Sequence, residues 1–95
     1  MDNISGMEVI QALSKSLEAI GNPLRYEIVN YCLKQQNFSN IIKDLRLNPA
    51  SFKFHLEVLT RFQLIKKVKR GVYETTELGK LLLTLIEQIG QFIDN

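Results

Sequence analysis

The sequence predicts a mainly α-helical domain with one small β-hairpin, built on a single core. Three observations carry that prediction. Apolar residues recur at three- and four-residue spacing along most of the chain, the repeat of a helix face. Two Asn-Pro pairs, Asn22-Pro23 and Asn48-Pro49, stand where new helices would begin. Between Leu64 and Thr75 the helical spacing gives way to a lysine-rich run that reverses near Arg70-Gly71, as two short strands would. At 95 residues, 45% of them hydrophobic, the chain has material for one modest core, and a domain this small gains from association. No repeat, low-complexity tract or linker divides it.

The elements follow in order. A first helix is expected over residues 7–20, because Ile10, Leu13, Leu17 and Ile20 share one face and Gly21 follows as a stop. Asn22 can accept from the free N–H groups of a second helix while Pro23 fills a position that needs no donor. That helix should reach about Lys34, with Leu24, Ile28, Tyr31 and Cys32 on one face. Cys32 reads there as a packing residue. Asn37 or Ser39 can cap a short third helix whose apolar positions are Phe38, Ile41, Ile42 and Leu45, with Arg46-Leu47 leading out. Asn48-Pro49 then opens a fourth, about 49–62, and two short helices so closely joined form a helix-turn-helix.

The hairpin comes next. If Val68 faces the core, the alternation of a strand sends Lys67 and Lys69 to the opposite face. Thr75 or Thr76 caps a last helix reaching about Phe92. This is the order of a winged helix-turn-helix with extra N- and C-terminal helices. Its expected parts are an N-terminal helix (7–20), a helix-turn-helix core (23–62), a wing (64–75) and a C-terminal dimerisation helix (76–93) within a single domain, 1–95.

Net charge is only +2, but its distribution is uneven. Residues 34–70 hold nine Lys and Arg against two acids, and the segments on either side are both net acidic. A cationic block between acidic flanks points to a polyanionic partner, with a solvated helix face as the bland alternative. The lone cysteine rules out an intrachain disulfide and a Cys cluster for metal. No apolar run is long enough to span a bilayer and no export signal is evident, so a cytoplasmic protein with no membrane partner is expected. One His, one Cys, no Gly-rich phosphate loop and no converging carboxylate pair argue against an enzyme.

Several segments resemble the ArsR-like winged helix-turn-helix regulators of bacteria and archaea. They are Ile20-Gly21-Asn22-Pro23-Leu24-Arg25, the stretch from Leu47 to Ile65 with His55-Leu56, Leu59 and Leu64-Ile65, and Gly71-Val72-Tyr73 leading to Thr76-Glu77-Leu78-Gly79. The resemblance covers roughly residues 17–80 and implies a transcriptional regulator that binds double-stranded DNA as a homodimer. It also implies that the hairpin is the wing, lying on the backbone or adjacent minor groove. Two departures stand out. The third helix lacks the cysteines and the last helix the histidines through which many members bind metal, so no metal or other cofactor is expected. Where the family usually places a polar side chain before His-Leu, this chain has Phe54.

On a helical wheel the fourth helix buries Phe52, Leu56, Leu59, His55, Phe62 and Val58, leaving Ala50, Lys53, Glu57 and Arg61 opposite and Phe54 at the border. An exposed helix face suits the major groove. The residues expected on DNA are Asn48, Ser51, Lys53, Phe54 and Arg61 from the helix and Lys66, Lys67, Lys69 and Arg70 from the wing. Two readings of Phe54 stand: an apolar contact for thymine methyls, or a stripe with Val58 and Phe62 that closes over the core. His55 points inward and reads as a structural residue. In the last helix Leu78, Leu82, Leu85, Ile89 and Phe92 repeat at a coiled-coil spacing. With Ile10, Leu13 and Leu17 of the first helix they are expected to form a two-fold interface. A winged-helix module for protein–protein interaction is the alternative function.

Overall fold

The computed structural model describes residues 4–94. Five helices and three short strands follow in the order α1 (Gly6–Ile20), α2 (Pro23–Tyr31), β1 (Gln36–Asn37), α3 (Phe38–Leu45), α4 (Pro49–Arg61), β2 (Ile65–Lys69), β3 (Val72–Thr75) and α5 (Glu77–Ile93). Each helix start has a local cause. Ser5 and Glu8 form a reciprocal capping box on α1. Asn22, Asn37, Asn48 and Thr76 cap the others, each accepting from a free backbone N–H of the first turn. The choice between Asn37 and Ser39 thus falls to Asn37, and that between Thr75 and Thr76 to Thr76.

Two features differ from the expected pattern. Helix α2 ends at Tyr31, short of Lys34, because the Cys32 carbonyl turns out of the helix to accept from Thr75 N–H at 2.9 Å. The chain is thereby led into β1, so the hairpin becomes a three-stranded antiparallel sheet of order β1-β3-β2. Gln36 stands opposite Tyr73 and Asn37 opposite Val72. A two-residue strand with no apolar alternation leaves little trace in a sequence. The second difference is Val68. A bulge between Lys67 and Lys69 breaks the strand alternation, and Val68 is exposed rather than turned to the core. Gly71, with φ of 75°, makes the reversal that a side-chain-bearing residue would resist.

The core lies where α2, α3, α4 and the sheet meet. Phe52, Ile28, Ile41, Leu59, Leu64, Ile65, Val29 and Cys32 are fully buried there. Phe52, Leu56 and Leu59 turn inward with His55, Val58 and Phe62 half-buried, so α4 buries the face its periodicity predicts. The molecule is flat, 40 × 39 × 21 Å, and its radius of gyration of 14.3 Å exceeds the roughly 12 Å of a compact domain of this length. The terminal helices cause the excess. Helix α1 buries only Ser16, Ala19 and Ile20, and α5 only Gly79 and Leu82.

Candidate nucleic-acid interface

Arg46 takes a left-handed conformation, φ 55°, that ends α3, and Leu47 N–H returns to Ile42 O at 3.0 Å. Two residues later Asn48 caps α4, its Oδ1 accepting from Ala50 N–H at 2.9 Å and Ser51 N–H at 3.1 Å. The turn between the two helices is therefore short and pinned at both ends. The cap also leaves the positive end of the α4 dipole at the surface, where an anion is favoured. Asn48, Ser51, Lys53, Phe54, Glu57 and Arg61 are all exposed along the outer side of α4.

Phe54 is 59% exposed, which resolves the two readings toward an open ring. Its edge-to-face partner is His55, with ring centroids 5.4 Å apart. His55 is itself held, because an Arg25 Nη1 lies 3.2 Å from its Nδ1 while Arg25 Nε donates to the Ala19 carbonyl at 2.7 Å. Burial, then the neighbouring Arg25 charge, push the His55 pKa below its ordinary value. With Arg25 as donor, Nδ1 must accept, so the ring is neutral and carries its proton on Nε2. His55 thus serves as a joint between α4 and the α1–α2 corner. Burial also pushes the Cys32 thiol up to about 12, which leaves it protonated and inert.

On the wing, Lys66, Lys67, Lys69 and Arg70 are exposed. Lys66 is partly neutralised by Glu74 on the paired strand, 3.5 Å away. The other two ion pairs among the described residues, Lys15–Glu18 and Lys80–Glu77, lie on α1 and α5. Lys53, Lys67, Lys69, Arg70 and Arg61 are in none of them. The wing and α4 enclose a groove of about 750 Å³ to which Lys53, Lys66 and Lys67 all contribute, so helix and hairpin cations meet at one feature. Sequence reasoning missed this groove. Its apolar floor draws single residues from α3, α4, β2, β3 and α5, and no periodicity within one element can announce it.

The apolar stripe expected on α5 divides into two adjacent arcs. Leu82 is only 3% exposed and belongs to the protomer's own core, with Leu78, Leu83 and Ile86 packed against it. Leu82 is therefore taken up within the chain and is not free for a partner, a correction to its expected place in the interface. Leu81, Leu85, Ile89, Phe92 and Ile93 remain exposed, Phe92 at 84%. On α1, Ile10 and Leu17 are exposed beside Met7, while Leu13 is half-buried. Among the described residues no three His, Cys, Asp or Glu side chains converge as a metal site. No described helix is long and apolar enough to cross a membrane.

Comparison with known proteins places this geometry. A sequence model described as winged helix-turn-helix matches residues 24–93. A transcriptional regulator homologue from Pyrococcus horikoshii OT3 is 28% identical, with a TM-score of 0.67 over 90% of this chain and 99% of that one. An ArsR-like transcriptional regulator from Rhodococcus sp. RHA1 is 26% identical, TM-score 0.68, over 95% of this chain and 87% of the other. The transcriptional regulator HlyU from Vibrio vulnificus CMCP6 shares the fold at 20% identity, TM-score 0.65, over 90% and 98% of the two chains. A search of curated protein sequences finds no match.

Proposed function

The chain belongs to the winged helix-turn-helix family, and from that premise we propose that it is an ArsR-like transcriptional regulator that binds double-stranded DNA as a homodimer. One observation carries the reading. The exposed face of α4, with Ser51, Lys53, Phe54 and Arg61 behind the Asn48 cap, stands beside a wing whose Lys67, Lys69 and Arg70 are in no ion pair among the described residues. The α4 face enters the major groove, where residues near a helix N-terminus reach base edges. The wing lies on the phosphate backbone. Its role is binding rather than catalysis, exerted in the cytoplasm with the DNA it reads.

The dimer is supported by what the protomer leaves uncovered. Leu81, Leu85, Ile89 and Phe92 of α5 and Met7, Ile10 and Leu17 of α1 form exposed apolar faces that a monomer gains nothing by keeping in water. A two-fold axis through them gives two recognition helices about one DNA turn apart, roughly 34 Å, and an operator that is an inverted repeat. Phe54 would equally suit a docking surface for another protein, and electrostatics separates the two. Each phosphate neutralised steepens the log–log salt dependence by roughly 0.9. Fluorescence anisotropy on a random-sequence duplex should show salt-sensitive binding, and Lys67→Ala with Lys69→Ala should weaken it on every sequence while flattening the slope by about 1.8. A slope near zero for the native chain, or one untouched by the double substitution, would refute the assignment.

A further inference from the structure

The groove between α4 and the wing asks for an occupant that DNA does not supply. Its volume, about 750 Å³, falls within the roughly 300–1,000 Å³ of small-molecule sites. Phe38, Leu56, Ile65, Tyr73 and Leu78 make its floor. Leu56 and Ile65 are covered by the core beneath them, whereas Phe38, Tyr73 and Leu78 are only half-buried. A phosphodiester chain offers anionic oxygens, which seek donors, and an apolar bed gives them none. Glu57 also lines the groove and repels a polyanion that settles into it.

Charge at the rim selects what does fit. Lys66 is engaged by Glu74 at 3.5 Å and Glu77 by Lys80 at 3.2 Å. Lys53, Lys67 and Glu57 also line the groove and take part in none of the ion pairs among the described residues. Two ammonium groups against one carboxylate leave a single positive charge to be met, directly above an apolar floor. The complementary ligand carries one negative charge on an apolar body.

We propose that this groove is an effector site for a small amphiphilic anion of the aliphatic carboxylate class, and that its occupancy releases DNA. The second clause rests on the regulatory reading above. The carboxylate takes the Lys53 and Lys67 ammonium groups, as a charge-assisted pair. The aliphatic body covers Phe38, Tyr73 and Leu78, removing apolar surface from water. DNA and carboxylate then compete for the same two lysines, so regulation needs no change of shape. Competition raises the apparent Kd for DNA in proportion to ligand concentration, about elevenfold when the ligand stands at ten times its own Kd.

Decanoate below its micelle concentration is the probe, with decanol as the uncharged control. Methyl NMR of the DNA-free protein should show saturable shifts at Leu56, Ile65 and Leu78 and none at Leu85 or Ile89. Lys53→Gln with Lys67→Gln should weaken decanoate at least tenfold. Thr60→Phe, which sets a ring into the groove from a half-buried position on α4, should abolish the shifts while helix content by circular dichroism stays unchanged. Shifts confined to Leu85 and Ile89, or decanol binding as tightly as decanoate, would overturn the site. Saturation with decanoate that leaves duplex affinity unchanged would overturn its regulatory role. Duplex binding measured without decanoate reports separately on the regulator itself.

Discussion

Gly79 is the residue on which the attachment of α5 depends, and Gly79→Ala tests how tightly that junction is built. A Cβ at this position would lie 2.7 Å from the Leu64 carbonyl oxygen and 2.6 Å from Thr75 Cγ2. Neither neighbour can yield cheaply. The Leu64 carbonyl already accepts from Thr76 N–H at 3.0 Å, and the Thr75 side chain is fixed by its hydroxyl, which donates to Val29 O at 2.5 Å. To admit the methyl, α5 must move off the α4–β2 turn or Thr75 must rotate and leave a buried carbonyl unpaired. Overpacking of this kind costs about 1–3 kcal/mol, and a lost buried hydrogen bond adds about 1–3 kcal/mol. Better helix propensity returns about 1 kcal/mol. The balance is a loss of about 1–5 kcal/mol, or roughly 5–40 °C in Tm for a domain of this size. Gly90→Ala is the control within the same helix. A Cβ there meets nothing within 4 Å, and the position lies off the exposed apolar arc of α5, so propensity alone should act and raise Tm by a few degrees. Thermal unfolding followed by circular dichroism, at equal protein concentration, reads both. If Gly79→Ala melts with or above the native chain, the junction is slack and the packing account of α5 is wrong.

Other consequences are open to direct measurement. Replacing thymine by uracil in a preferred site removes only the methyl group, so native protein should lose several-fold in affinity where Phe54 sits and Phe54→Ala should be indifferent to the exchange; equal sensitivity of both would remove the ring from base readout. Leu85→Glu with Ile89→Glu buries two carboxylates in the proposed two-fold interface, and sedimentation should show monomers that keep their helix content; an unshifted dimer would place the interface elsewhere. Unfolded, His55 takes a proton near pH 6.5, while the folded site resists it by burial and by the Arg25 charge. Stability is therefore whole above that pH and falls as pH drops below it. His55→Gln should remove this part of the acid sensitivity in denaturant titrations; an identical pH profile would mean the ring is freely solvated.

What the sequence showed plainly was whatever is local. The Asn-Pro pairs, Thr76 before an apolar run and the three- and four-residue repeats each settle within a few residues of themselves, and the helices begin where these signals stand. What it hid depended on partners far along the chain. Helix α2 stops early because of a hydrogen bond from Thr75, 43 residues beyond Cys32. Strand β1 exists because β3 passes beside it. The Val68 bulge turns a side chain that alternation would bury. On α5, one apolar stripe serves two ends, and only packing reveals that Leu82 lies on the inner edge while Leu85 and Ile89 do not. Periodicity counts apolar residues and does not say which neighbour covers them. The candidate DNA contacts on α4 needed only a wheel, whereas the groove beside them needed five elements in place.

The same long-range bonds tie the proposed dimer to the proposed DNA contact. Helix α1 carries part of the exposed apolar surface, and its Ser16 hydroxyl donates to the Phe62 carbonyl at the end of α4, 3.0 Å away. At the middle of α4, Arg25 bridges the Ala19 carbonyl of α1 to the His55 ring. The middle and the C-terminal end of the proposed recognition helix are thus fastened to the helix through which protomers would meet. A polar bond from a residue only 5% exposed is directional and expensive to break without a substitute partner, so α1 and α4 turn together rather than slide. In the proposed dimer, a rotation of one protomer on the other would then appear as a change in the separation of the two α4 helices. The spacing of the operator half-sites would be decided where α1 and α5 of the two protomers meet, and a ligand acting at the proposed groove site would change occupancy without having to change that spacing.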